Sequence, residues 1–102
     1  MNQVVVNLIS NAIDALLQIE EQRKITIELS ANRDNRAIIK ISNNGPVIPA
    51  DIQEKIFIPF YTTKETGSGI GLSLSRQIMR SLKGSISLVS NEQEDTVFIL
   101  EI

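Results

Sequence analysis

Residues 24–31, KITIELSA, alternate apolar and polar side chains, and residues 37–43, AIIKISN, form a second β-branched run. Between them lies NRDN, residues 32–35. Period-two alternation places Ile25, Ile27 and Leu29 on one side of a strand and Thr26, Glu28 and Ser30 on the other. Asn and Asp bond their own backbone two residues on and tolerate left-handed conformations, so NRDN is a turn. Residues 24–43 are therefore predicted to form an antiparallel hairpin with one face buried.

The rest of the chain must supply the cover. Residues 2–19 carry Val4, Leu8, Ala12, Ala15, Leu16 and Ile19 at helical spacing. Residues 70–82 predict a further helix with Ile70, Leu74, Ile78 and Leu82 inward and Gly84 just past its end. Two more strands, 85–90 and 96–102, flank a polar NEQED turn. Between the halves, residues 43–69 hold all 3 prolines and read mostly as loop, with one short helix near 50–56. A loop of that length in a compact domain usually has a function. The order helix, strand, strand, loop, helix, strand, strand implies an α+β fold, one sheet covered on one face by helices.

With 102 residues, the chain fits one domain. A hydrophobic share of 42% with 22% charged residues is globular, and a net charge of −2 gives no basic excess for nucleic acid. No apolar run is long enough to cross a bilayer, so no direct membrane contact is expected. Cysteine is absent, which excludes disulfides and suits a cytoplasmic location. Histidine is also absent, which removes the commonest general base and any histidine phosphoacceptor within this chain.

TGSGIGLSLSRQIM, residues 66–79, sets Gly67, Gly69 and Gly71 at alternate positions before a helix-like run. Bare backbone at a helix start suits an anion, because free N–H groups and the positive end of the dipole face it. A flexible pre-helical loop gives the same pattern, so the motif by itself leaves both readings open. On the first helix, Asn7, Asn11 and Asp14 share one face, extended by Gln3 and Gln18. That stripe is narrow and lacks Lys and Glu, which fits the wall of a polar pocket better than a solvated face. Asn oxygens can complete the octahedral shell of a Mg²⁺ held mainly by phosphates and water. Asn43 is in phase with Ile39 and Ile41, and Thr96 with Phe98 and Leu100, so both polar groups are predicted to point inward. Two such groups on separate strands could read the edge of a base; local turn bonding is the plainer alternative for each.

NLISNAIDAL (7–16), NNGPVIP (43–49) and IFIPFYTTKETGSGIGLSLSRQI (56–78) closely resemble, in order and spacing, the ATP-binding catalytic domain of bacterial sensor histidine kinases, most of all the nitrogen-regulator branch. The resemblance implies the two-layer α/β sandwich shared with gyrase-type ATPases, Hsp90 and mismatch-repair ATPases. It implies MgATP as ligand, with Asn11 on the Mg²⁺ and Asn7 beside it. Asn43 and Thr96 would hold the adenine edge, and Gly45 would let the backbone approach the base. Lys64 would reach the phosphates from an ATP lid spanning about 44–69. Gly67, Gly69 and Gly71 would bring N–H groups to the triphosphate, with Leu72 behind them and Phe57 and Phe60 anchoring the lid. Implied partners are a histidine-bearing dimerisation domain and, downstream, a response regulator of two-component signal transduction.

Asn43 stands where the family usually has Asp, and Val47 where it usually has a second Gly. Against the family pattern the chain starts inside the first conserved helix, so an N-terminally truncated domain, 1–102, is expected. Gyrase-type ATPases and the related serine kinases favour a Glu at position 7 to activate a nucleophile; the Asn7 amide has no useful basicity. A non-catalytic nucleotide-binding module is the other alternative, resting on Asn43 and Val47.

Overall fold

The structure is a computed structural model that describes residues 2–20, 22–59, 71–91 and 94–102. In chain order it contains α1 (Asn2–Leu16), β1 (Ile25–Ala31), β2 (Ala37–Asn43), the short α2 (Ala50–Gln53), α3 (Gly71–Ser81), β3 (Ser85–Asn91) and β4 (Glu94–Glu101). The four strands form one sheet in the order β1-β2-β4-β3, and every pairing is antiparallel. The expected hairpin is present: Ile25 pairs with Asn43 and Ala31 with Ala37. Asn32 closes it, its Oδ1 accepting from the backbone N–H of Asp34 at 2.9 Å and of Arg36 at 3.0 Å. Asn35 takes the left-handed conformation at φ 60, which Asn tolerates better than most residues.

Helices α1 and α3 pack on each other and on one face of the sheet, α1 over β2 and α3 over β3. The core lies between the layers: Val4 and Leu8 of α1, Ile41 of β2, Met79 of α3, Ile86 of β3, and Phe98 and Leu100 of β4. Each fully buried aliphatic side chain of this kind contributes about 1.5–3 kcal/mol. Phe57 packs against the same cluster, with the Arg76 guanidinium 5.0 Å from its ring centroid. Phe60, the other residue expected to anchor the lid, lies outside the described residues.

Two details differ from the sequence-based expectation, the phase of α3 and the cover over β1. On α3 the buried side chains are Ser75 and Met79, while Leu74 and Leu82 are exposed. A line of residues four apart drifts about 40° per step around a helix of 3.6 residues per turn, so it cannot stay on one face over three turns. Ile70 lies outside the described residues. On β1, Ile27 and Leu29 do point to the helix side, opposite Ile41 and Ile39, yet they are 53% and 77% exposed. β1 is an edge strand beyond the reach of α1 and α3, and alternation tells which way a side chain points without telling what covers it.

The end of α3 is a Schellman closure. The Gly84 N–H donates to the Met79 carbonyl at 2.8 Å and the Lys83 N–H to that of Arg80 at 3.0 Å. Lys83, rather than Gly84, takes the left-handed conformation, at φ 59. Gly84 is required for a different reason: a Cβ there would collide with the Glu101 backbone carbonyl.

Candidate functional site

A cavity of about 420 Å³ opens between the C-terminal half of α1, the ends of β2 and β4, and the segment that follows β2. Asn11, Ala15 and Gln18 form one wall. Asn43, Thr96 and Phe98 form the floor, and residues 46–49 with Ile52, Ile56 and Leu72 close the remaining sides. Its size and mixed apolar and polar lining suit a small ligand.

The floor follows from strand periodicity. Asn43 and Thr96 are register partners across β2 and β4, and each is 3% exposed. Directly opposed residues of an antiparallel pair share a face, so both reach the helix side at one point. Neither is left unsatisfied. Asn43 Oδ1 accepts from the Gly45 N–H at 2.9 Å, and Thr96 Oγ1 lies 2.8 Å from Ser90 Oγ. Ser90 sits where the β3–β4 register shifts, between Val89 and Asn91. Such a bulge re-aims side chains and recurs beside functional sites.

The roof is pinned by residues that sequence reasoning missed. Ser90 Oγ also accepts from the Ile48 N–H at 3.0 Å. The Gln53 side chain donates to the Ile48 carbonyl at 2.6 Å and to the Ser90 carbonyl at 2.9 Å. One glutamine thus ties residues 46–53 to β3, fixing the wall that Val47 and Pro49 contribute. No local pattern marks this, because the bonds depend on where the loop meets the bulge.

The polar stripe of α1 divides. Asn11 and Gln18 line the cavity. Asn7 ties the two helices together: its Nδ2 donates to the Gly71 carbonyl at 3.1 Å and to Ser75 Oγ at 3.2 Å. Ser75 in turn donates to the Gly71 carbonyl at 2.8 Å. This network puts the start of α3, and so Leu72, against the cavity. Gly45 makes its close approach to α1: a Cβ would stand 2.9 Å from Asn43 Oδ1 and 3.1 Å from Ala15. Asn11, Asn43, Leu72 and Thr96 therefore meet at one cavity, Gly45 buttresses it, and Asn7 and Gly71 hold the adjoining helix. Lys64, Gly67 and Gly69 lie outside the described residues.

The entire chain, residues 1–102, matches the family described as histidine kinase-, DNA gyrase B- and HSP90-like ATPases. The chain belongs to that family. Within it, the chain is similar to signal transduction histidine-protein kinase AtoS of Escherichia coli (strain K12), 39% identical over 90 residues. That match covers 88% of this chain and 14% of AtoS, so the chain spans about a seventh of that relative's length. It is also similar to the solved, nucleotide-free catalytic domain of histidine kinase ThkA: 40% identity and a TM-score of 0.81, covering 98% of this chain and 63% of that one. A structure of ThkA in complex with the response regulator protein TrrA matches at 38% identity and a TM-score of 0.75, over 98% of this chain and 27% of that one. The α+β sandwich expected from the sequence is thus the fold of a histidine kinase catalytic domain, and the family places this chain among ATPase-type nucleotide-binding domains. Among the described residues, no helix is long and apolar enough to cross a membrane.

Proposed function

We propose that this domain binds MgATP in the 420 Å³ cavity and holds its γ-phosphate for transfer to a histidine on a separate dimerisation domain. The observation that carries this reading is the buried Asn43–Thr96 pair on the cavity floor. Each keeps hydrogen-bonding capacity beyond the bond it already makes, Asn43 to the Gly45 N–H and Thr96 to the Ser90 hydroxyl, and the edge of a purine fits that place. The walls of Ala15, Val47, Ile48 and Ile52 suit the faces of a flat ring.

Asn11, one turn nearer the start of α1 than Ala15, would stand on the phosphate side. Among the described residues no group of three His, Cys, Asp or Glu could hold a metal. A donor set of amides fits a Mg²⁺ that arrives on phosphates and keeps its waters, with Asn11 as one oxygen ligand. When bound, that ion would neutralise charge on the phosphoryl oxygens. The chain's own part is positioning: Asn43 and Thr96 fix the base, Gln53 fixes the roof, and Asn7 fixes the start of α3 relative to Asn11. Lys64 and the N–H groups of Gly67 and Gly69, from a lid over about 44–69, and the N–H group of Gly71 at the start of α3 are proposed to contact the triphosphate.

With no histidine, the chain cannot be its own phosphoacceptor. Its relative ThkA is solved with a response regulator, which supports a two-component pathway as the setting and a response regulator as the downstream partner. A water-activating ATPase is the weaker reading, because the Asn7 amide is not a base and already serves Gly71 and Ser75. The test is transfer of the γ-phosphoryl group from ATP. The domain alone should label nothing; adding a dimeric histidine-bearing domain from a similar kinase should give an acid-labile phosphohistidine on that partner. Rapid ATP hydrolysis by the domain alone, with no labelled histidine, would contradict the proposal.

A further inference from the structure

The polarity of the cavity floor is not fixed. Every polar side chain lining the described cavity is an amide or a hydroxyl: Asn11, Gln18, Asn43 and Thr96; none is charged. Asn43 is oriented by its own turn. Its Oδ1 accepts from the Gly45 N–H at 2.9 Å, and the flipped amide would set an NH₂ group against that N–H. Seated this way, Asn43 offers a ligand two things: the Nδ2 donor and the second lone pair of Oδ1. Thr96 is equally adaptable. Its hydroxyl is 2.8 Å from that of Ser90, and Ser90 Oγ already accepts from the Ile48 N–H. Either hydroxyl of the pair can be the donor, so Thr96 can accept from a ligand or donate to it.

Purine edges differ in just this respect. A 6-aminopurine presents an N–H donor at C6 and an acceptor at N1. A 6-oxopurine presents an acceptor at C6 and an N–H donor at N1. A carboxylate at position 43 could only accept, so it would match the amino edge and repel O6. An asparagine can meet either edge: Oδ1 takes the 6-amino N–H while Nδ2 meets N1 of an aminopurine, and, with the base shifted by one position along its edge, Nδ2 meets O6 of an oxopurine. We propose that Asn43 makes this site accept 6-oxopurine nucleoside phosphates with an affinity comparable to that for adenine nucleotides. Asn43 is then the specificity-determining residue for the base. The inference rests on the nucleotide-binding reading above and refines its substrate class.

Calorimetric titration of the domain with MgADP and with MgIDP tests it, since the two ligands differ only at C6 and N1. The expected result is a Kd for MgIDP within tenfold of that for MgADP. Asn43→Asp should widen the ratio at least tenfold in favour of MgADP. A parent preference for MgADP above tenfold overturns the inference and leaves the ATP-binding reading standing. So does an Asn43→Asp ratio that widens by less than tenfold. Binding of neither nucleotide overturns both readings. If Asn43→Asp fails to fold, the ratio measured on the parent decides.

Discussion

Asn43 and Thr96 face each other in the β2–β4 register, both buried, and each is tied to a group on its own side of the cavity: Asn43 to the Gly45 N–H, Thr96 to the Ser90 hydroxyl. The pair is therefore built before any ligand arrives. Thr96→Val keeps the shape and removes the hydroxyl, leaving Ser90 one partner short. The expected outcome is a stability loss of about 1 kcal/mol in urea denaturation and MgADP binding weakened about tenfold by calorimetry. Unchanged affinity would remove Thr96 from the base site.

Asn11 and Asn7 are one turn apart on α1 and are predicted to behave differently. Asn11→Ala should weaken MgADP binding more than tenfold while leaving its Mg²⁺-free binding nearly unchanged, with the far-ultraviolet spectrum intact. Asn7→Ala removes two bonds between α1 and α3 and should cost about 1–2 kcal/mol of stability. A Mg²⁺ dependence that survives Asn11→Ala would show that the ion is held elsewhere.

Gly84 and Lys83 make a matched pair at the end of α3. Gly84→Ala drives a methyl group into the Glu101 carbonyl, and backbone has to move; a loss of about 2 kcal/mol or more is expected. Lys83→Gly relieves a left-handed residue and should raise stability by up to about 1 kcal/mol. Thermal unfolding of the two variants should shift Tm in opposite directions.

Leu100 is fully buried, whereas Leu29 is 77% exposed on the uncovered side of β1. Leu100→Ala should cost about 2–5 kcal/mol, and Leu29→Thr less than about 0.5 kcal/mol. Equal losses in chemical denaturation would mean that something covers β1 in solution.

The strands were legible because a period of two leaves no room for drift. Once Ile39 and Ile41 were inward, so was Asn43, and once Phe98 and Leu100 were inward, so was Thr96. The family could be read because three separated segments carry their residues in a fixed order. The phase of α3 was not legible: its buried face centres on Ser75, a small polar residue whose bond from Asn7 comes from the opposite helix. The exposure of Ile27 and Leu29 escaped because nothing local reports the reach of α1. The Gln53–Ser90 tie escaped for a similar reason, since it joins a loop to a bulge 37 residues further along the chain.

The most direct test of the account is a titration of isotopically labelled protein with MgADP, followed by the amide resonances of the backbone and of the Asn side chains. Saturable shifts of the Asn43 and Asn11 side-chain amides and of the Gly45 and Thr96 backbone amides, at one common Kd, are the predicted result. Shifts confined to residues away from α1, β2 and β4, or none at saturating nucleotide, would contradict it.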